Sequence, residues 1–271
     1  MSLVEQRVPA VAVLGLGEAG RRLASDLVAL GVEVRGYDPL AVSAPEGVTR
    51  ASDPVSAVSG TTTVLALTTG TTALAAAESA LPGLRTGAIY VDLSTASPSL
   101  KIDIGALVAG AGARFADAAL LGPVPARGLA TPALASGPGA QAFADAFVPL
   151  GMPVEVVSDV PGDAATLKLL RSVFMKGLAA SALESLHAAR AAGHAEWLGR
   201  EIAAVIGEPL LERLTEGSRR HAVRRVDELH AARDLLLELG VEPRVTVAST
   251  AVLGDLASTA VSGRGSRGMP A

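Results

Sequence analysis

A glycine run in the segment "VAVLGLGEAGRRL" has the spacing of a turn that binds a dinucleotide. Gly15 permits a tight turn after a strand, Gly17 lets the backbone approach a pyrophosphate, and Gly20 lets the following helix pack close to the strand. The free N–H groups and partial positive charge at the start of that helix favour phosphate binding. The motif alone is weak evidence, but here it lies between a predicted strand and a predicted helix. The predicted cofactor contacts in this run are Gly15, Leu16, Gly17, Glu18, Ala19 and Gly20.

A single acid, Asp38, follows the second predicted strand, 18 residues after the last glycine of the run. A carboxylate at this place accepts hydrogen bonds from the ribose hydroxyls and repels a 2′-phosphate. The two residues after it are uncharged, so no adjacent base could hold such a phosphate. The sequence therefore predicts NAD as the cofactor, with NADP as the second choice, and a turn or cap is the alternative role for Asp38. Thr68 and Thr69, directly after another predicted strand, are assigned to the same cofactor site.

Two hydroxyl side chains, Ser94 and Thr95, come directly after a predicted strand. The carboxyl ends of parallel strands line the ligand crevice of such sheets, so both residues are candidate substrate contacts. Capping is the alternative for hydroxyl residues at this place. Ser97, which precedes Pro98, is predicted to be a helix N-cap.

Lys168 lies on a predicted long helix, between Leu167 and Leu169. A lysine near an apolar seam can have a lowered pKa, or can donate a hydrogen bond to a carbonyl or alkoxide oxygen. Ser172 is four residues on and so lies on the same side of the helix, with Lys176 one turn further. Lys168 is therefore a candidate proton-transfer residue and Ser172 a candidate substrate contact. An ordinary surface lysine is the alternative.

The segment "GSRRHAVRRVDEL" holds a dense cluster of bases. These side chains could bind a carboxylate or phosphate of the substrate, with the histidine as an acid or base. Alternatively the segment is a solvated helix face, since several of its charges, such as Arg224 and Glu228, are i,i+4 neighbours. The cluster consists of Arg219, Arg220, His221, Arg224 and Arg225.

Short apolar runs separated by helical patterns extend over residues 8–157 and indicate a parallel sheet covered on both faces. After residue 161 the pattern is helical throughout and begins with a helix of roughly 30 residues. The prediction is an α/β chain with a Rossmann-type, mostly parallel sheet in a domain at 1–160, an all-helical domain at 161–262 and a flexible tail at 263–271. The predicted strands are Val11–Leu14, Glu33–Tyr37, Thr63–Leu67, Ala88–Leu93, Arg114–Ala118, Pro132–Ser136 and Val154–Val157.

The composition argues against several classes of function. The 271 residues carry a formal net charge of −4, which gives no overall attraction to nucleic acid or anionic membranes. The lack of cysteine excludes disulfides, thiol nucleophiles and zinc–thiolate sites, and the four histidines lack metal-ligand spacing, so no metal is expected. No apolar run reaches the roughly 18 residues that span a membrane. No signal segment is visible, and a cytoplasmic location is expected.

Together these motifs resemble the β-hydroxyacid dehydrogenases, the family that includes 3-hydroxyisobutyrate dehydrogenase and the cofactor domain of 6-phosphogluconate dehydrogenase. The matching segments are the glycine run, "DLSTASPS", Asp117–Ala118 and Gly162–Lys168. The resemblance implies that Lys168 is the proton-transfer lysine of an interdomain helix. The segment "HAVRRVDELHAARDLLLELGVEP" resembles a helical C-terminal domain of phosphogluconate-dehydrogenase-like proteins whose substrates are largely unassigned.

Two departures from the family's pattern bear on the substrate. The family's loop Asp-Ala-Pro-Val-Ser-Gly-Gly holds the substrate carboxylate, whereas this chain has "DAALLGP". Gly122 is kept there as a candidate substrate contact, but Leu121 replaces a hydroxyl and Pro123 has no N–H to donate. Ser172 stands where the family has asparagine. Arg127 or the cluster at 219–225 could supply the missing anion contact.

The resemblance implies an oxidoreductase that transfers a hydride between NAD(P) and a small hydroxy acid or related alcohol or carbonyl compound. An imine reductase-like enzyme and a non-catalytic NAD-binding protein are the alternatives. We expect a small, anionic substrate, with neither nucleic acid nor membrane as a partner. The first helix after residue 161 has apolar residues on more than one face, which predicts a homodimer formed through the helical domain.

Overall fold

The computed structural model describes residues 10–41 and 43–265, and only the backbone of 259–265. The chain divides into two compact units, the sheet unit (Met1–Thr166) and the helical unit (Leu167–Ala271).

The described part of the sheet unit contains one sheet of eight strands. They are β1 (Val11–Leu14), β2 (Val34–Tyr37), β3 (Thr49–Arg50), β4 (Thr63–Ala66), β5 (Ile89–Asp92), β6 (Arg114–Leu120), β7 (Ala133–Ser136) and β8 (Val154–Ser158). Their order is β3-β2-β1-β4-β5-β6-β7-β8, and all neighbours run parallel except the antiparallel pair β6 and β7. The central strands β1 and β4 are buried along their whole length, as expected for a sheet covered on both faces.

The predicted Rossmann-type, mostly parallel sheet followed by helices is confirmed. The seven predicted strands agree with observed strands to within two residues at each end. The strand β3 was not predicted, because its two exposed residues carry no apolar pattern. The reversal between β6 and β7 was not predicted either.

Six helices cover the sheet in the described part of this unit. They are α1 (Glu18–Ala29), α2 (Pro54–Val58), α3 (Ala73–Ala80), α4 (Pro98–Gly110), α5 (Val124–Arg127) and α6 (Ala140–Phe147). Alternate strand residues enter two separate cores, as side chains on opposite faces of a sheet must. One core is filled by α1 and α6, with Leu23 and Phe143, and the other by α2, α3 and α4, with Ala77 and Ile104.

The helical unit continues the chain with long helices. They are α7 (Asp163–Ala191), which begins in the last residues of the sheet unit, α8 (Ala195–Ile206), α9 (Glu208–Arg220), α10 (Ala222–Glu238) and α11 (Arg244–Gly265). Leu183, Leu229 and Leu253 form its buried core. The chain is interrupted at His221, between α9 and α10, where neither Gly nor Pro marks the interruption in the sequence. The predicted tail begins at 263; α11 extends to Gly265, and residues 266–271 lie outside the described part.

Candidate functional site

The glycine run forms the turn between β1 and α1. Gly15 has a φ of +96°, and a Cβ there would lie 2.5 Å from the Leu67 carbonyl oxygen. A Cβ at Gly20 would lie 1.8 Å from the Gly15 carbonyl oxygen, so only glycine allows the helix to pack this closely. A Cβ at Gly17 would meet nothing within 4 Å. The turn is therefore closed toward the sheet and open toward a ligand, which fits a bound dinucleotide.

The Asp38 carboxylate supports this turn. Its Oδ2 accepts a hydrogen bond from the Leu16 N–H at 2.7 Å, and its Oδ1 accepts one from the Leu40 N–H at 2.8 Å. The turn role, the alternative considered for Asp38, is thus present in the structure. A carboxylate has about four lone-pair sites, so two donors leave room for ribose hydroxyls. The ribose role stays a prediction.

Two arginines that the sequence did not suggest approach the loop after Asp38. Arg21 donates to the Ser43 carbonyl oxygen at 2.6 Å, and Arg50 donates to the Ala41 carbonyl oxygen at 2.8 Å. Neither arginine is among the residues directly after Asp38, on which the sequence prediction of NAD rested. Folding brings these bases from α1 and β3, a proximity with no local sequence signal.

The loop after β4 contains an unsatisfied hydroxyl. Within the described part of the chain, the Thr68 Oγ1 is buried and has no hydrogen-bond partner. A buried hydroxyl without a partner costs free energy that a ligand at this strand end would recover. Thr69 is exposed, and its Oγ1 lies 3.0 Å from that of Thr71 and 2.8 Å from that of Thr72. Both predicted threonines therefore lie beside the glycine turn, whose first glycine packs on Leu67 and Thr68.

The loop after β5 carries the predicted pair Ser94 and Thr95. Ser94 is buried, and its N–H and Oγ donate to Oδ1 and Oδ2 of Asp92 at 2.9 and 3.1 Å. Thr95 is exposed, and its carbonyl oxygen lies 3.1 Å from the place of a Cβ at Gly70, so the loops after β4 and β5 adjoin. The predicted N-cap is confirmed, since the Ser97 Oγ accepts from the Leu100 N–H at 3.3 Å.

A buried ion network that sequence reasoning missed lies beneath this loop. The Lys101 Nζ donates to the Asp92 carbonyl oxygen at 2.7 Å, and lies 3.3 Å from Asp92 Oδ2 and 3.0 Å from Asp117 Oδ1. All three side chains are at most 1% exposed. Asp117 Oδ2 accepts from the Ala165 N–H at 2.9 Å, at the start of α7. One ammonium group therefore links the Ser94 loop to the first turn of α7.

The loop that departs from the family's pattern folds back over Gly122. The nearest atom to a Cβ built at Gly122 is the Arg127 Cδ, at 3.6 Å. The loop is held against α1 by Asp26, which accepts from the Leu129 N–H at 2.9 Å. Pro123 is exposed and is the N-cap residue of α5. The roles of Gly122 in substrate binding and of Arg127 in anion binding stay predictions.

In the helical unit, Ser172 and Lys176 on α7 meet Glu228 on α10. The Lys176 Nζ donates to the Ser172 Oγ at 2.9 Å and pairs with Glu228 Oε2 at 2.5 Å. Burial lowers the pKa of the Lys176 ammonium and outweighs the attraction of Glu228, which acts to raise it. Burial is the largest influence on the pKa of Glu228 and acts to raise it, but the nearby cations, Lys176 foremost, together outweigh burial. Arg224 and Lys168 act in the same direction as Lys176, so the pKa of Glu228 lies below its ordinary value.

The predicted proton-transfer residue, Lys168, is half-buried on α7. Its charge acts on the same partly buried carboxylate, Glu228, as Lys176 does, and helps to lower the pKa of that group. The sequence had singled out Lys168 and Ser172, but not Lys176 or Glu228. The pairing of residues 176 and 228 joins two helices far apart in sequence, so only the fold reveals it.

The five bases of the predicted cluster have different surroundings. Arg219 pairs with Glu216, and Arg225 donates to the Ser218 Oγ at 2.8 Å. Arg224 is 67% exposed, and its guanidinium lies 3.9 Å from Glu228. The predicted i,i+4 pair Arg224–Glu228 is thus present as a long contact, and Arg219 with Glu216 adds an i,i+3 pair on the helix face. The other members of the cluster, Arg220 and His221, are exposed.

The family to which the chain belongs is shown by a match within the sheet unit. Residues 10–146, about half of the chain, match the NAD binding domain of 6-phosphogluconate dehydrogenase. The chain belongs to this family. A curated relative from Methanothermus fervidus, an uncharacterized 28.5 kDa protein in the 7S RNA 5′ region, is 28% identical over 158 residues. That match covers 57% of this chain and 61% of the relative, so the chain spans less than two thirds of it.

Solved structures of similar fold cover nearly the whole chain. A conserved protein of unknown function, described as structurally similar to 3-hydroxyacid dehydrogenases, is 30% identical with a TM-score of 0.72, covering 93% of this chain and 99% of that one. The Mycobacterium tuberculosis 3-hydroxyisobutyrate dehydrogenase, solved with L-serine, has a TM-score of 0.80 at 19% identity, covering 93% and 94%. A Streptomyces aurantiacus imine reductase has a TM-score of 0.59 at 22% identity, covering 94% and 95%. The last two likenesses are of fold alone.

Two features are absent from the described residues. No helix there combines the length and apolar character that crossing a membrane requires. No group of three or more histidine, aspartate or glutamate side chains there could hold a metal ion.

Proposed function

We propose that this protein transfers a hydride between NAD(P) and a small hydroxy acid or the corresponding carbonyl compound. The glycine turn, Asp38 and the Thr68 hydroxyl would hold the cofactor, and its nicotinamide would supply the hydride acceptor or donor. In oxidation the substrate's carbinol carbon gives up a hydride and its hydroxyl proton passes to the neutral amine of Lys168. In reduction the Lys168 ammonium returns that proton to the carbonyl oxygen.

The observation that carries this proposal is the setting of Lys168. The side chain is half-buried on α7, one turn before Ser172, and its charge contributes to the lowered pKa of Glu228, whose side chain is 23% exposed. A lysine in a purely solvated position would be screened from that carboxylate. Family membership supports the cofactor, and the family resemblance of the Gly162–Lys168 segment supports the role of the amine.

The test is turnover of a panel of hydroxy acids with NAD and with NADP, followed by the absorbance of the reduced nicotinamide. Replacing Lys168 by alanine removes the proton-transfer group, so we expect turnover to fall by ~10²-fold or more with cofactor affinity nearly unchanged. The matched control is Arg171→Ala, which removes an exposed cation from the same helix. Equal turnover in Lys168→Ala contradicts the role of the amine.

The same panel separates the two alternatives. Faster reduction of a cyclic imine than of any keto acid would replace the proposal by imine reduction, which the likeness in fold to an imine reductase makes a relevant comparison. Tight NAD(P) binding without turnover of either substrate class would indicate a non-catalytic nucleotide-binding protein.

A further inference from the structure

The chain has three lysines, Lys101, Lys168 and Lys176, among its 23 basic residues. Lys101 and Lys176 are 1% and 7% exposed, and Lys168 is half-buried. An ammonium group is a compact charge whose pKa responds strongly to burial, whereas a guanidinium stays charged. Arginine therefore supplies the exposed positive charge of the described residues, and lysine occurs at partly or fully buried polar places.

Two of these lysines share one face of α7. Lys168, Ser172 and Lys176 are spaced i, i+4 and i+8, which places them in one row along the helix. Ser172 is 8% exposed and accepts from the Lys176 Nζ. The row is faced by Glu228 on α10, with Arg224 one turn before it.

Positive charge exceeds negative charge among these groups. The Glu228 carboxylate lies 2.5 Å from the Lys176 Nζ and 3.9 Å from the Arg224 guanidinium, so two cations face one carboxylate. The Lys176 ammonium group is buried beside that carboxylate, and burial of an ion carries a desolvation cost. A net positive charge in a partly desolvated place favours an anionic ligand, and charged hydrogen bonds to such a ligand are stronger than neutral ones.

Among the clustered arginines, Arg224 is the one positioned to take part. The guanidinium of Arg225 is bound to Ser218 and to the Arg213 carbonyl oxygen, and Arg219 is paired with Glu216. Arg224 is two-thirds exposed with a long contact to Glu228, so its planar fork can turn to an incoming oxyanion without breaking a short hydrogen bond.

We propose that the row Lys168–Ser172–Lys176, with Arg224 and Glu228, is a subsite for the acid group of the substrate, a carboxylate or a phosphate-type oxyanion. That the ligand is the substrate rests on the proposed dehydrogenase function. In the loop that holds the substrate carboxylate in the family, Leu121 has no hydroxyl and Pro123 has no N–H, so the acid group of the substrate needs donors from elsewhere in this chain. Arg224 and Lys176 bind the oxyanion, and Glu228 keeps Lys176 in place.

The small number of lysines makes the test site-specific. The full chain is labelled with [ε-¹³C]lysine, which gives three side-chain signals, each assigned with a Lys→Arg variant. Inorganic phosphate and, separately, acetate are then titrated in at constant ionic strength. We expect at least one of the two probes to shift the signals of Lys176 and Lys168 to saturation, and the more tightly bound probe identifies the acid class. The Lys101 signal, from the sheet unit, serves as the internal control and stays unchanged.

Variants assign the binding to Arg224. Arg224→Gln should weaken the saturable binding at least tenfold, and Arg224→Lys, which keeps the charge but loses the planar fork, should weaken it by less than Arg224→Gln does. The matched control, Arg219→Gln, removes the same charge from the cluster and should leave the affinity unchanged. Shifts that grow linearly with both probes, or an equal loss in Arg219→Gln and Arg224→Gln, would overturn the subsite.

The subsite and the proposed function fail in different experiments. Saturable binding that depends on Arg224, in a protein that turns over no hydroxy acid, leaves the subsite standing and removes its assignment to a dehydrogenase substrate. Turnover of a hydroxy acid with the same KM in Arg224→Gln and the parent overturns the subsite and leaves the dehydrogenase standing.

Discussion

Replacing Lys101 by methionine tests whether its buried ammonium group stabilises the link between the Ser94 loop and the first turn of α7. Methionine keeps an unbranched side chain of similar length but removes the charge. Asp92 and Asp117, both at most 1% exposed, then face each other without the cation that now lies 3.3 and 3.0 Å from their carboxylates. Removing one member of a buried ion network costs about 3–5 kcal/mol. That is a large part of the roughly 5–15 kcal/mol by which domains are stable.

Urea unfolding followed by circular dichroism measures the loss, and hydrogen exchange shows where it acts. The amide groups of Ser94 and Ala165 donate to the two carboxylates, so both should lose protection. The matched control is Asp103→Asn, an exposed charge on the same helix, for which a change within about 0.5 kcal/mol is expected. Adding Asp117→Asn to Lys101→Met should restore part of the stability, because one uncompensated charge disappears. A loss below about 1 kcal/mol for Lys101→Met would refute the reasoning.

The remaining predictions concern the cofactor, acid stability and assembly. Asp38→Asn keeps an acceptor for the Leu16 N–H but removes the negative charge beside the loop that Arg21 and Arg50 approach. The ratio of NADP affinity to NAD affinity should therefore rise about tenfold or more. An unchanged ratio of the two dissociation constants would contradict this prediction. The pKa of Glu228 is lowered in the folded state, so its contribution to stability is present above the unfolded value of 4.5 and is lost as the pH falls through the folded value. The difference in free energy of unfolding between the parent and Glu228→Gln should therefore shrink as the pH is lowered below about 4.5, and a constant difference down to pH 3 would argue against it. Phe174 is 68% exposed on α7, in a row with Leu167 and Leu170. Light scattering over a concentration series should show a dimer for the parent protein and a monomer for Phe174→Glu, which places a charge in this apolar row. A parent protein that is monomeric at every concentration would reject the predicted homodimer.

Local patterns were enough to predict the turn and the strands of the sheet unit. Three signals act within a few residues and can therefore be recognised in the sequence: the glycine spacing, the apolar strand of four residues before it, and the proline after Ser97. The same reasoning found Lys168, because a lysine among leucines stands out. It missed β3, which has neither length nor apolar character.

The charged networks could not be predicted in this way. Lys101 meets Asp92 and Asp117 only after α4 has packed on the sheet, and the preference of charged residues for water argues against burying all three. Lys176 and Glu228 belong to different helices, and each alone is compatible with a solvated helix face. Arg21 and Arg50 likewise approach one loop from an adjacent helix and a strand that the pattern did not reveal.

The distribution of amines has a consequence for chemical modification of this protein. Acylating reagents attack uncharged amino groups that they can reach, and the side chains of Lys101 and Lys176 are only 1% and 7% exposed. By exposure, the half-buried Lys168 is then the lysine side chain most open to acylation. Lysine acetylation would therefore act on the proton-transfer step proposed above while the arginine-based surface charge stays as it is.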